Sequence, residues 1–182
     1  MDDSVGDSAL TPLQVRLAEV DDAPGIARVR IAGWQSGYRG VVPDSVLDSM
    51  SVEGFAERMK HWTWDPASRP HWVCVWNEQI VGWANAWFPG RDSDCAPTTA
   101  ELVACYVLPE HWRKGIASEL MSVAMAAAAE AGMALMTLWV LEQNQRAQAF
   151  YARHGFGPDG ARKPQEFLVG ADLWAMRMAR SL

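Results

Sequence analysis

Residues with types and spacing suited to chemistry cluster in the second half of the chain. The first group is Trp112, Arg113, Lys114, Gly115, Ile116 and Ala117, between an apolar run closed by Pro109 and a long alanine-rich stretch. A helix that begins there presents unpaired N–H groups and a partial positive charge. Gly115 lets a bulky anion approach the backbone, and Arg113 and Lys114 add full charges beside it. That combination suits a pyrophosphate; taken alone, it equally describes a tight turn with two surface cations. Asn144 and Tyr151 lie seven residues apart, two helical turns, and so share a helix face. Tyr151 reads, on residue type and spacing, as a half-buried aromatic with a wet hydroxyl. Glu101 opens the strand that runs toward Pro109. It is either a carboxylate placed to take a proton, directly or through water, or a solvated strand-end charge.

Other chemistries find little support. His61, His71, His111 and His154 have no metal-ligand spacing, so no metal is expected. Cys74, Cys95 and Cys105 are odd in number and match no zinc pattern, which fits a reduced compartment; Cys105 reads as a small core residue. No G-x-S-x-G stretch suggests a hydrolase, and no G-x-G-x-x-G follows the first strand as a Rossmann enzyme would require. The net charge of −6 over 182 residues argues against nucleic acid as a partner. It leaves room for a local basic pocket and is compatible with a cationic substrate. No apolar stretch reaches 18 residues, and the opening MDDSVGDSAL lacks the features of a leader, so no membrane role and a cytoplasmic location are expected.

These residues need elements to position them. Residues 13–20 alternate as a first strand; Asp21 and Asp22 with Pro24 begin a helix that fades near 35–42. Short helices are expected at 43–50 and after Ser51, with Phe55, Met59 and Trp62 along one side. Residues 71–76 and 80–88 read as a hairpin, 89–98 as a loop and 100–108 as a strand. A helix at 116–131 ends at Gly132, a buried parallel strand covers 134–141, a helix spans 144–154, and 166–179 closes the chain as a hairpin. Residues 1–9 are expected as a flexible tail and 10–182 as a single domain. The order implies an α/β (α+β) fold: a mixed, mostly antiparallel sheet with helices on both faces and a central parallel pair. Ten tryptophans, six of them between 62 and 87, read singly as core and collectively as a source of pocket walls.

The chain resembles the GNAT superfamily of acetyl-CoA-dependent N-acetyltransferases over nearly its whole length. The resemblance is carried by RLAEVDDAPGIARV, GWQSGYRGVVPDSVL, ELVACYVLPEHWRKGIASEL and LEQNQRAQAFYARHGF. Gly115 and Ala117 match the family's Q/R-x-x-G-x-G/A signature after a V-x-P strand end, with Trp112 where Gln or Arg is usual. Asn144, Tyr151, Gly155 and Phe156 match its second signature. The resemblance implies a parallel strand pair that splays to admit acyl-CoA. It implies acetyl-CoA as co-substrate, with Tyr106, Val107, Trp112, Arg113, Lys114, Gly115, Ile116, Ala117 and Asn144 as its contacts. It further implies a backbone N–H at Val107 or Tyr106 for the thioester oxygen, Glu101 as base and Tyr151 as acid. Trp34, Tyr38, Trp83, Trp87 and Trp174 are expected around the acceptor, a small-molecule or peptide amine whose body is apolar or cationic. The expected function is direct acetyl transfer to a primary amine; the alternative is a non-catalytic acyl-CoA sensing module on the same fold. A homodimer stays open.

Overall fold

The alternating residues near the N-terminus form β1 (Gln14–Leu17), and a 3-10 turn leads into α1 (Ala23–Gly37) with Pro24 in its first turn. Asp22 stands at the N-cap position, but its carboxylate is taken by Arg16 at 2.6 Å and by the Glu19 N–H at 2.8 Å. Short α2 (Asp44–Asp48) follows, then α3 (Val52–Met59), capped as expected by Ser51, whose Oγ accepts from the Gly54 N–H at 2.9 Å. Phe55 and Met59 are buried from α3, whereas Trp62 lies beyond its end and stays 38 % exposed. The computed structural model describes residues 13–165 and 173–182.

The hairpin forms from β2 (His71–Trp76) and β3 (Gln79–Trp87). Asn77 and Glu78 turn it with φ of 48° and 61°, the left-handed pair that matches strand twist in a two-residue loop. Next come β4 (Thr99–Val107), α4 (Ile116–Glu130), β5 (Leu135–Leu141), α5 (Gln145–Arg153), β6 (Gly157–Pro164) and β7 (Trp174–Ser181). The sheet order is β1-β2-β3-β4-β5-β7-β6, and only β4 and β5 run parallel. Among the described residues β7 pairs with β6, a strand the sequence did not suggest, while the expected first arm at 166–170 lies outside the described residues. The Gly, Pro and Asp content of β6 hid it, and an edge strand tolerates those residues, here with a register break between Pro158 and Arg162. The expected tail at 1–9 also lies outside the described residues.

α1 and α3 cover one face of the sheet and α4 the other. On α4, Ile116, Leu120, Met121, Ala124 and Ala128 are buried along one stripe, and the small residues among them bring the helix close to the strands. On the opposite face, a Cβ at Gly33 would stand 3.1 Å from Cδ1 of Tyr106, so glycine there lets α1 lie against β4. No helix among the described residues is long and apolar enough to cross a membrane.

Candidate active site

Two features of β4 shape the site. β4 pairs with β5 only from Thr99↔Leu135 to Leu102↔Leu138, so from Val103 onward its β5-facing edge has no strand partner. On its other side Asn85 pairs with Ala104 but Ala86 with Leu102, leaving Val103 as a bulged residue. Strict alternation from Tyr106 would put Glu101 on the opposite face. The bulge reverses the parity, and Glu101 lines the same cavity as Trp83, Ala104 and Tyr106.

The gap between the strands is a slot walled by Tyr38, residues 102–107, Trp139, Asn144 and Tyr151. One end opens into a cleft of about 640 Å³ lined by Arg113, Gly115, Ile116, Ala117, Arg146, Arg153 and Tyr151, with no carboxylate among the described residues of its wall. Arg113 at φ 64° and Gly115 at φ 85° give the stretch before α4 the left-handed positions that gather N–H groups into an anion-binding concavity. A Cβ at Gly115 would meet nothing within 4 Å, so the space above it is open for a ligand. A diphosphate fits this wall.

Expected coenzyme contacts divide. Val107, Trp112, Arg113, Gly115, Ile116 and Ala117 line the cleft. Lys114 does not: its Nζ lies 4.8 Å from the Trp76 ring centroid and 3.5 Å from His111 Nδ1, because the Arg113 turn swings it toward β2. Tyr106 faces the slot and the acceptor side instead. Asn144 is not in the helix but caps it, its Oδ1 accepting from the Ala147 N–H at 3.1 Å. Trp112 donates its Nε1–H to the Val107 carbonyl at 2.8 Å and carries the Arg146 guanidinium 3.7 Å above its ring. α5 thus brings a cation over position 112, a contact that sequence spacing does not reveal.

The other end of the slot opens into a cavity of about 660 Å³. Trp34, Tyr38 and Trp83 line it as expected, joined by Phe55, Trp62 and Trp139. Trp87 and Trp174 do not: Trp87 is covered by Arg69 and Arg91 at 4.3 and 4.8 Å, and Trp174 carries Arg162 at 4.8 Å on the side of β7 away from Ala175. Trp34 Nε1 donates to the Tyr106 hydroxyl at 2.8 Å, and Tyr106 stacks on Trp83 with ring centroids 6.1 Å apart. Trp83 in turn donates to His71 Nδ1 at 3.3 Å; burial pushes His71 down to about 4, so it stays neutral. Asp92 receives the Trp139 indole N–H at 2.8 Å and pairs with Arg177, which also grips Asp94 and Asp159 and so ties the 89–98 loop to the last hairpin.

Glu101 and Tyr151 sit in different compartments. Glu101 is buried and held by Arg91, with Nε 2.8 Å and the backbone N–H 3.1 Å from Oε2 and a further guanidinium contact to Oε1. Burial alone would raise its pKa, but the Arg91 donors outweigh that and hold it below the usual glutamate range. Tyr151 lies in the slot and the coenzyme cleft, where burial first and then its neighbours Cys105, Tyr38 and Tyr106 push its pKa well up. No group of three potential metal ligands occurs among the described residues.

Residues 42–156 match the model of the acetyltransferase (GNAT) family. The chain belongs to this family. It is 27% identical over 170 residues to an uncharacterised N-acetyltransferase of Bacillus subtilis, covering 90% of this chain and 95% of the relative. It is 33% identical over 131 residues to one of Mycobacterium tuberculosis, covering 72% and 78%. The GNAT fold is shared with the PaiA N-acetyltransferase of Thermoplasma acidophilum in complex with coenzyme A, at a TM-score of 0.73 and 17% identity over 94% of this chain and 100% of that one. A Salmonella typhimurium acetyltransferase solved with acetyl-CoA aligns at a TM-score of 0.68 and 21% identity, over 94% and 95%. The protein is an N-acetyltransferase of the GNAT superfamily.

Proposed function

We propose that the protein transfers the acetyl group of acetyl-CoA directly to a primary amine of a small molecule or peptide. The observation that carries this reading is the continuity of three compartments: a cation-walled cleft, the slot between β4 and β5, and an aromatic cavity. Tyr38, Leu102, Val103, Ala104, Tyr106 and Trp139 line both the slot and the cavity, so thioester and amine meet along that stretch of β4.

Each residue group then has a task. Arg113 and the amides around Gly115 hold the diphosphate, with Arg146 and Arg153 adding charge from α5. The unpaired edge of β4 takes the pantetheine arm as an added strand. The bulge at Val103 lies where slot meets cavity, so an N–H at Val103 or Ala104 is better placed for the thioester oxygen than one at Tyr106 or Val107. The departing thiolate enters dry surroundings. Cys105, a thiol in the same wall, is pushed up to about 12 by burial, so the wall disfavours a thiolate and favours its protonation on departure. Tyr151, kept protonated by its raised pKa, can supply the proton there.

The attacking amine must first lose a proton, at a cost of roughly 4–5 kcal/mol for an ordinary alkyl amine at pH 7. Glu101 has its oxygens occupied by Arg91 and a lowered pKa, which makes it a weak acceptor. In this reading Glu101 is a positioning residue that fixes Arg91 at the cavity wall, and the proton leaves through water in the cavity. Thiol release from acetyl-CoA across a panel of primary amines tests the function. Release with at least one amine is expected; tight acetyl-CoA binding without release on any of them would overturn the reading.

A further inference from the structure

The acceptor cavity of this acidic protein is basic. Among the described residues its wall carries Arg30, Arg91 and Lys163 against a single carboxylate, Glu101. Arg91 neutralises Glu101, so among the described residues Arg30 and Lys163 make no ion pair, although Asp92 and Glu101 still act on Lys163 from farther off. Lys163 rests 3.8 Å from the Trp139 ring centroid, and burial first, against the pull of Asp92 and Glu101, lowers its pKa.

Arg30 is the more telling of the two. Its guanidinium carbon lies 4.3 Å from the Phe55 ring centroid and 5.4 Å from that of Trp34. Burial lowers its pKa, and the neighbouring Arg58, 5.5 Å from the same Phe55 ring, adds repulsion. No carboxylate or hydrogen-bond acceptor of the described residues meets its N–H groups. Arg30 is half-buried at the cavity wall and its unpaired N–H groups still reach solvent, so a ligand carboxylate entering the cavity would meet free donors there. Its fork of donors matches a carboxylate.

We propose that the amine acceptor bears a carboxylate, which Arg30 binds, on an apolar or aromatic body that packs among Trp34, Phe55, Trp62 and Trp83. This rests on the amine-transfer reading above; it keeps the apolar body expected from the aromatic residues and puts a carboxylate in place of the cationic alternative. Lys163, across the cavity, strengthens the attraction for an acid and opposes a diamine.

The test separates the two readings. Calorimetric titration in the presence of coenzyme A compares N-acetylphenylalanine and N-acetylleucine, as product-like probes, with their neutral amides. In the wild type each acid is expected to bind at least about tenfold more tightly than its amide, and the gap is expected to collapse in Arg30→Met. Thermal melting of the variant checks that it folds, and Arg30→Lys is expected to restore only part of the gap, since an ammonium lacks the fork. Equal affinities for acid and amide, a gap that survives in Arg30→Met, or no measurable binding of either compound would each overturn the proposal. An intact gap with no acetyl transfer to any amine sinks the transfer reading alone. Transfer with no gap sinks the carboxylate site alone.

Discussion

Arg91 and Glu101 form a pair in which only one partner is withdrawn from water: the Glu101 side chain is 2 % exposed and that of Arg91 46 %. The carboxylate therefore depends on the guanidinium far more than the reverse. Because the folded pKa of Glu101 lies below its ordinary 4.5, the pair's contribution to stability is complete above that value and is lost as pH falls through the lowered one. Arg91→Ala should cost about 1–3 kcal/mol near neutrality, and melts should show the deficit shrinking toward acid pH as the carboxylate protonates. Glu101→Gln should lower turnover only severalfold and by the same factor from about pH 6 to 9, since Glu101 with its lowered pKa is ionised throughout that range. A loss of about a hundredfold or more with acetyl-CoA affinity and melting temperature unchanged would return Glu101 to the role of base.

Tyr151→Phe removes a proton donor without emptying the slot. Turnover should fall by about a hundredfold, a typical general-acid contribution, while acetyl-CoA affinity measured by calorimetry changes little. Unchanged turnover would take Tyr151 out of the mechanism.

Gly115 offers a paired substitution. A methyl group there meets no protein atom within 4 Å, so Gly115→Ala should pay only for its left-handed backbone, roughly 1–2 kcal/mol in stability. Gly115→Glu places bulk and negative charge where the diphosphate belongs and should abolish acetyl-CoA binding. Retained affinity in the glutamate variant would move the cradle elsewhere.

Arg146 stands in for the basic or amide side chain that Trp112 replaces. Arg146→Ala should weaken acetyl-CoA binding by about tenfold, and Arg146→Lys should recover charge but not the flat contact with the indole. Titrations at low and high salt check this, since losing a phosphate-facing cation flattens the salt dependence. Full affinity in Arg146→Ala would assign the charge to Arg113 and Arg153.

Local rules were enough to read most elements from the chain. Ser51 caps where expected, Asn77 and Glu78 turn the hairpin, and the apolar run at 134–141 is the parallel strand. What escaped depends on partners distant in sequence. The bulge at Val103 exists only in the register with β3, yet it decides which face Glu101 occupies. Trp87 and Trp174 look identical to Trp83 in a sequence, and only strand orientation and the overlying arginines tell them apart. Arg30 gains its meaning from Phe55, on another helix, and Arg146 from Trp112. In each case the missing information was a long-range contact rather than a weak local signal.

Among the described residues, the main-chain stitching between β4 and β5 is short: the four register pairs from Thr99 to Leu102, preceded by the Ala134 and Leu135 N–H groups on the Thr98 carbonyl. The molecule is thus an unfinished seam, and a donor thioester lying along the open length, as proposed, would close it from within. Loading the enzyme should knit the halves into one stiffer body, whereas each deacylation and departure loosens them again, so catalytic turnover and mechanical cohesion rise and fall together.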